Sequence, residues 1–486
     1  MGKDLDKEHF SEAEFARFGE RLEHSLAALR ELLDRPGFGA GPPTIGAELE
    51  LFLVTPDGRP LKRNKAVRET VGDDRVALEL GAYNIEVNLT PRPLAGRPFA
   101  DLAAELREVM LAVDEAAAPE GGGQVPIGIL PTLREFDFTG DAMTNERRYR
   151  ALSRGIRRVR AEPFFVTISG AERLDLRVVD VILESANTSW QIHLRTPPAD
   201  FARVYNAAQL ATAPVLAVSG NSPLFLGRRL WEETRIALFE ESADDRDEER
   251  PWRREGRVHF GPDWVRHGAE ELFAWGVREF EPLLPVLDDE EDPLDVVRRG
   301  GVPRLDELRT HQGTVWQWNR PVYDPADGGH LRVEMRALPS GPSVPDMTAN
   351  AAFLLGLVVE LAEREPEGFA FAEAYRNFYR AARDGLAARL FWPGHEEEVP
   401  APALVRELVP LARAGLERSG VEPADADAAL EVIRWRAETG RTGARWQREA
   451  ITALGNDPMS WAQMVNRYRE LALTHRPVHT WPPLSA

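Results

Sequence analysis

Four short segments of this chain alternate strictly between apolar and charged residues, and no other feature limits its possible folds as much. In TIGAELELFLV (44–54) an extended backbone points Glu48 and Glu50 to one side and Leu49, Leu51 and Leu53 to the other. In YNIEVNL (83–89) Glu86 and Asn88 oppose Ile85, Val87 and Leu89. In SWQIHLR (189–195) Gln191, His193 and Arg195 oppose Ile192 and Leu194, and in HLRVEMRAL (330–338) Arg332, Glu334 and Arg336 oppose Leu331, Val333 and Met335. Period-two alternation of this kind belongs to half-buried antiparallel strands. The reading is therefore a sheet with one greasy face and one ionic face.

For any single strand the ordinary explanation is a face turned to water. The four together carry carboxylates, an amide, an imidazole and guanidinium groups, the set that binds hard cations and phosphate oxygens. Glu48 and Glu50 at neighbouring same-face positions stand roughly 6–7 Å apart, so they must gain protons, pair with arginine or share a cation. With no cysteine among the 486 residues, disulfides, thiolate metal sites and cysteine nucleophiles are excluded. Carboxylates and ten histidines remain as ligands, which favours Mg²⁺, with Mn²⁺ as the alternative. A formal charge of −19 opposes nucleic acid or an anionic membrane as the main partner. The first residues carry no secretory pattern, and no run is apolar for the ~18 residues a membrane span needs, so a cytoplasmic protein is expected.

Along the chain, apolar spacing from Phe15 to Leu33 predicts a helix that stops before Pro36 and Gly37. TPDGRPL reads as a turn, 99–118 as a helix, VPIGILP as a buried strand, and VTISGAERLDLRVV as further strand. A second helix is expected over ARVYNAAQLATAPVLAVSG. The charge-rich stretches at 241–256 and 288–293 read as mobile solvated loops. Beyond Asp346 the pattern is almost wholly helical. The expectation is an α+β chain in three parts: an N-terminal helix and linker (1–43), a catalytic domain (44–395) and a helical C-terminal extension packed on it (396–486).

The order GAELEL, NIEVN, QIHLR, LAVSGNSPLFLGRRLWEETR and RVEMRALPS resembles the glutamate–cysteine ligase type 2 family, carboxylate–amine ligases related in fold to glutamine synthetase. The resemblance implies an antiparallel sheet curved into a half-barrel and flanked by helices. It also implies ATP-driven activation of a carboxylate, usually the γ-carboxylate of glutamate, as an acyl phosphate that an amine converts to an amide. Carried over by motif, Glu48, Glu50, Glu79, Glu86, His193 and Glu334 would hold Mg²⁺, and Arg336, with Glu334, would act at the transferring phosphoryl group. Arg235, Arg147, Tyr149, Gln191 and Asn221 fall to the substrate side, and Arg195, Arg332 and Arg445 to ATP. No Walker-type glycine loop is present or needed.

The chain departs from the family pattern at GILPTLR, where Pro131 and Thr132 stand in place of a histidine element, and in the SANTSW loop. The acceptor end is thus matched less closely than the metal end, leaving cysteine or another amine as the nucleophile. Small molecules are the expected partners: an amino acid carboxylate, an amine and ATP. Two other readings stand beside this one. They are a phosphotransferase on the same fold, stopping at a phosphorylated product, and a non-catalytic ligand-binding relative.

Overall fold

The computed structural model describes residues 5–484 except 161, 247–253, 288–290 and 365–367. The charge-rich loops predicted at 241–256 and 288–293 therefore lie partly outside the described residues.

The four alternating segments form neighbouring strands of one sheet. Numbered in chain order, its strands are β1 (Thr44–Val54), β2 (Val76–Leu78), β3 (Asn84–Asn88), β4 (Arg92–Pro93), β5 (Gly123–Val125), β6 (Trp190–Arg195), β7 (Asn319–Asp324) and β8 (His330–Met335). They run β7-β8-β6-β1-β3-β2, with β4 and β5 pairing near the two ends of β1, and every pair is antiparallel. β1 is thus hydrogen-bonded on both sides. Along it Ile45, Ala47, Leu49 and Leu51 are buried while Thr44, Gly46, Glu48 and Glu50 are half-buried, the predicted alternation.

The apolar face packs on three helices, Pro98–Ala117, Phe201–Ser219 and Val344–Arg364, in one continuous core. Trp190 of β6 is fully buried there, and its indole N–H donates to the Met347 carbonyl at 2.9 Å, tying the sheet to the last of these helices. Among the described residues Val344–Arg364 is the one helix long and apolar enough to cross a membrane. It is a core helix here, with 89% of its apolar window buried. On its other side it packs against Ala401–Arg418, where Gly356 and Gly415 let the two backbones touch. A β-carbon added at either would collide with the other helix's backbone. The predicted N-terminal helix spans Glu12–Leu33 and opens on a capping box between Ser11 and Glu14.

VPIGILP was expected as a strand, but β5 covers only Gly123–Val125. Pro126 and Pro131 have no N–H for a ladder. Their segment is nevertheless buried, with carbonyls satisfied from outside: Thr188 N–H reaches Gly128 O at 3.0 Å and the Tyr468 hydroxyl donates to Pro126 O at 2.9 Å. VTISGAERLDLRVV forms a hairpin, Phe164–Ser169 with Arg173–Val178, as its own two-stranded sheet.

Candidate active site

Strand register decides which ionic groups meet. Arg320 of β7 faces Glu334 of β8, which faces His193 of β6, which faces Gly46 of β1. In the next row Gln191 of β6 faces Glu48 of β1, which faces Asn88 of β3. One step further Glu50 faces Glu86, and Ala77 of β2 follows. On the opposite flank Arg195 faces Arg332. The face is therefore graded, arginine-rich over β6–β8 and acidic over β1–β3.

At its centre Glu48, His193 and Glu334 each offer one ligand atom, and these atoms lie within 4.8 Å of one another. His193 Nε2 is 3.2 Å from a Glu48 oxygen and 3.9 Å from a Glu334 oxygen. Although the ring is buried, neither nitrogen has a hydrogen-bond partner among the described residues. An orphaned imidazole between two carboxylates is the donor set of a divalent cation, so the residues present fit the implied metal.

Glu334 is fully buried and fixed in place. It accepts from Arg320 Nε at 2.5 Å and Nη2 at 3.0 Å, and from Arg336 Nη1 at 2.8 Å. Burial opposes its ionisation, but Arg320 and then Arg336 outweigh that and hold the carboxyl far below the usual range. Burial also acts on Glu48, where the His193 ring offsets it and leaves the group below its ordinary value. The acids over β1–β3 behave in the opposite way. Burial, then the neighbouring Glu86, pushes Glu50 up to about 7 even though Gln191 Nε2 (3.0 Å) and Ser189 N–H (2.7 Å) donate to it. Burial and the surrounding glutamates likewise raise Glu79, and burial with Glu48 raises Glu86. These carboxylates outnumber their cations, and such a surplus is relieved by protons or by bound metal.

The substrate and nucleotide candidates are scattered more widely. Gln191 is central, accepting from Arg336 Nη1 at 2.5 Å while donating to Glu50. Arg195 donates to Ala40 O and Arg332 to Asp324, and the buried Nε of each has no partner among the described residues. Arg235 is buried in an ion pair with Glu233 at 2.8 Å and donates to Ala337 O, so its charge is already committed.

Arg147, Asn221 and Arg445 lie away from the face. Arg147 reaches out to the Asp6 carbonyl; it is Arg148, one residue on along the helix, that turns inward to Leu78 O and the Tyr149 hydroxyl. Tyr149 in turn donates to Leu78 O at 2.6 Å beside Glu79. Asn221 is buried in a structural knot, donating to Ser340 O and to the Tyr468 hydroxyl and accepting from Gln447. Arg445 sits on the outer surface of the Gly443–Leu454 helix, paired with Glu449 one turn away.

Two groups escaped the sequence reading. Arg320 lies in NRPVYD, where Pro321 disguises a strand, and the turn-rich PADGG before HLRVEM was the available sign of a hairpin. Glu184, in a short 3₁₀ segment before β6, joins the acids from outside the sheet, and burial followed by Glu50 raises it to about 8. Nothing periodic marks it in VILESA.

Against known proteins, the profile of glutamate–cysteine ligase family 2 matches residues 44–467. Comparison with curated proteins returns no sequence match. Among solved structures, a glutamate–cysteine ligase (gshA) from Francisella tularensis in complex with AMP aligns over 92% of this chain and 91% of that one, at 12% identity and a TM-score of 0.57. A bifunctional glutathione synthetase from Pasteurella multocida aligns over 94% of this chain and 55% of its own at 14% identity, with a TM-score of 0.44. At such identities the first likeness speaks for the fold alone. The profile covers most of the chain, and on that ground the protein belongs to glutamate–cysteine ligase family 2, the ATP-dependent ligases that join a carboxylate to an amine.

Proposed function

We propose that the protein activates the γ-carboxylate of glutamate with ATP in a Mg²⁺-dependent step and transfers the acyl group to an amine. The observation that carries this reading is the convergence of Glu48, His193 and Glu334 on one point of a face whose remaining acids are short of cations. Those three residues would hold one divalent ion and Glu50, Glu79 and Glu86 a second. Bound there, Mg²⁺ supplies charge neutralisation for the phosphoryl group in flight.

The chain's own groups do the positioning. Arg336 is held from two sides, by Gln191 and by Glu334, so its guanidinium stays aimed over the face where phosphoryl charge develops. Gln191 links that arginine to Glu50, fixing both. Arg195 and Arg332 stand at the basic flank, where their free Nε groups suit the oxygens of the nucleotide's phosphate tail. Arg320 keeps Glu334 ionised without facing the substrates itself.

Phosphate release from ATP tests the reading. It is expected to need glutamate, an amine and a divalent cation together, and to stop with a chelator. A phosphorylated product that accumulates with one substrate alone would replace the ligase by a phosphotransferase. Glu48→Gln is expected to raise the Mg²⁺ concentration needed for half-maximal rate by on the order of 10–100-fold, the usual cost of disturbing a metal's surroundings. An unchanged Mg²⁺ requirement would remove Glu48 from the metal site.

A further inference from the structure

Next to the acidic end of the face is a narrow cleft whose walls include Glu50, Glu79, Gly81, Asn84, Glu184 and Asn187. Its polar lining combines three carboxyl groups with the Asn84 and Asn187 amides. Among the described residues no donor reaches the Glu184 carboxylate. Asn84 is 2% exposed, and among the described residues neither atom of its amide has a partner, nor does the buried Asn187 side-chain oxygen. Gly81 keeps the space open, since a β-carbon there would strike the Asn84 amide and Ser185.

Among the described residues no arginine, lysine or histidine lines this cleft. The nearby guanidinium groups are engaged elsewhere: Arg336 with Gln191 and Glu334, Arg235 with Glu233 and Ala337 O, Arg148 with Leu78 O and Tyr149. A ligand rich in N–H donors complements such walls, whereas a carboxylate entering the cleft finds three carboxyl groups, Glu50, Glu79 and Glu184, and no basic side chain among the described residues that line it.

We propose that this cleft receives the acceptor as an ammonium group held by Glu184 and Asn84, and that it selects a small amine without a carboxylate, ammonia or a short primary alkylamine, over an α-amino acid such as cysteine. The inference rests on the ligase reading above and names its second substrate. In the transfer step the amine nitrogen, having released one ammonium proton, attacks the acyl carbon. The C–N bond forms, the bond from carbon to the phosphate oxygen breaks with its electron pair leaving on inorganic phosphate, and a second proton is lost from nitrogen to give the neutral amide. Glu184 stands on a different element from the sheet acids, which lets the amine approach from the wall facing them.

The test uses the intact protein with glutamate, ATP and Mg²⁺. Isotope scrambling between the bridging and non-bridging oxygens of ATP, without any amine, reports acyl phosphate formation by itself. If that scrambling is absent, the ligase reading fails and this inference falls with it. If it occurs, kcat/KM for ammonium, methylamine and ethylamine is expected to exceed that for cysteine and 2-aminobutyrate by at least about tenfold, the effect of one charge-assisted contact. A preference for either amino acid overturns the inference and leaves the ligase intact. Glu184→Gln is expected to raise the amine KM by about tenfold while scrambling persists. A change in Mg²⁺ dependence in place of amine KM would assign the cleft to metal and overturn the proposal. Should that variant not fold, Asn84→Asp, which adds an acid to the same wall, is expected to lower the KM for ammonium; a rise would count against it.

Discussion

Glu334 and Glu50 are glutamates on strands two apart in one sheet, yet their surroundings drive them to opposite ionisation. Two guanidinium groups overcome burial and hold the first charged, whereas burial and then a facing glutamate push the second toward neutrality. The same logic operates away from the site at Glu240, where the Trp318 indole N–H and the Tyr379 hydroxyl both donate to one carboxyl oxygen, at 2.8 and 2.9 Å. Burial outweighs those bonds and raises the group to about 8. An acid raised in the folded state binds more protons folded than unfolded between its ordinary value near 4.5 and about 8, so stability falls as pH climbs through that window. Glu240→Gln keeps an oxygen to accept both bonds and has no proton to lose. Its melting temperature is expected to gain on the wild type from pH 5 to 8 and to hold that margin above; parallel curves would show that Glu240 ionises normally in the fold.

At the scale of elements, the two helices that meet at Gly356 and Gly415 have no room for a methyl group. Gly415→Ala is expected to cost ~1–3 kcal/mol in denaturant unfolding, as overpacking does. Gly96→Ala would strain a positive φ but meets no neighbour, which makes it a control for steric crowding as distinct from backbone strain. Elements with a clean period were legible in the sequence. β1, β3, β6 and β8 carry their two faces as written, and the Glu12–Leu33 helix begins and ends at its punctuation. Illegible were those whose signal another force overrode. Pro321 hid β7 and with it Arg320. In VPIGILP, burial imitated a strand that two prolines prevent. The choice between Arg147 and Arg148 depends on helix rotation against Leu78, which one chain segment does not encode. Glu184 is placed by tertiary packing alone.

Across the whole molecule, the last helices are stitched to the segments around the sheet by polar bonds. Gln447 and Tyr468 close on Asn221, Tyr468 reaches Pro126 O, and Arg469 bonds both Asp114 and Gln124 O. Trp446, Tyr468 and Trp481 add a fully buried aromatic trio to a second apolar cluster that also holds Val125, Ile127 and Ile129. A chain ended at Gly440 is expected to lose cooperative unfolding and to aggregate on gel filtration, because the Asn221 side-chain oxygen and the Pro126 carbonyl would lose the donors from Gln447 and Tyr468 and the apolar wall would be exposed. Full turnover by that shortened chain would show the stitching to be dispensable. β1 carries the final consequence. It is paired on both sides, with leucines on one face and glutamates on the other. A slip of one residue in either pairing would bury Glu48 and Glu50 against the core helices and turn Leu49 and Leu51 onto the ionic face. Misregistered molecules are therefore silent ones, and the catalytic rate of a preparation, divided by its protein content, counts the fraction whose central strand has found its place.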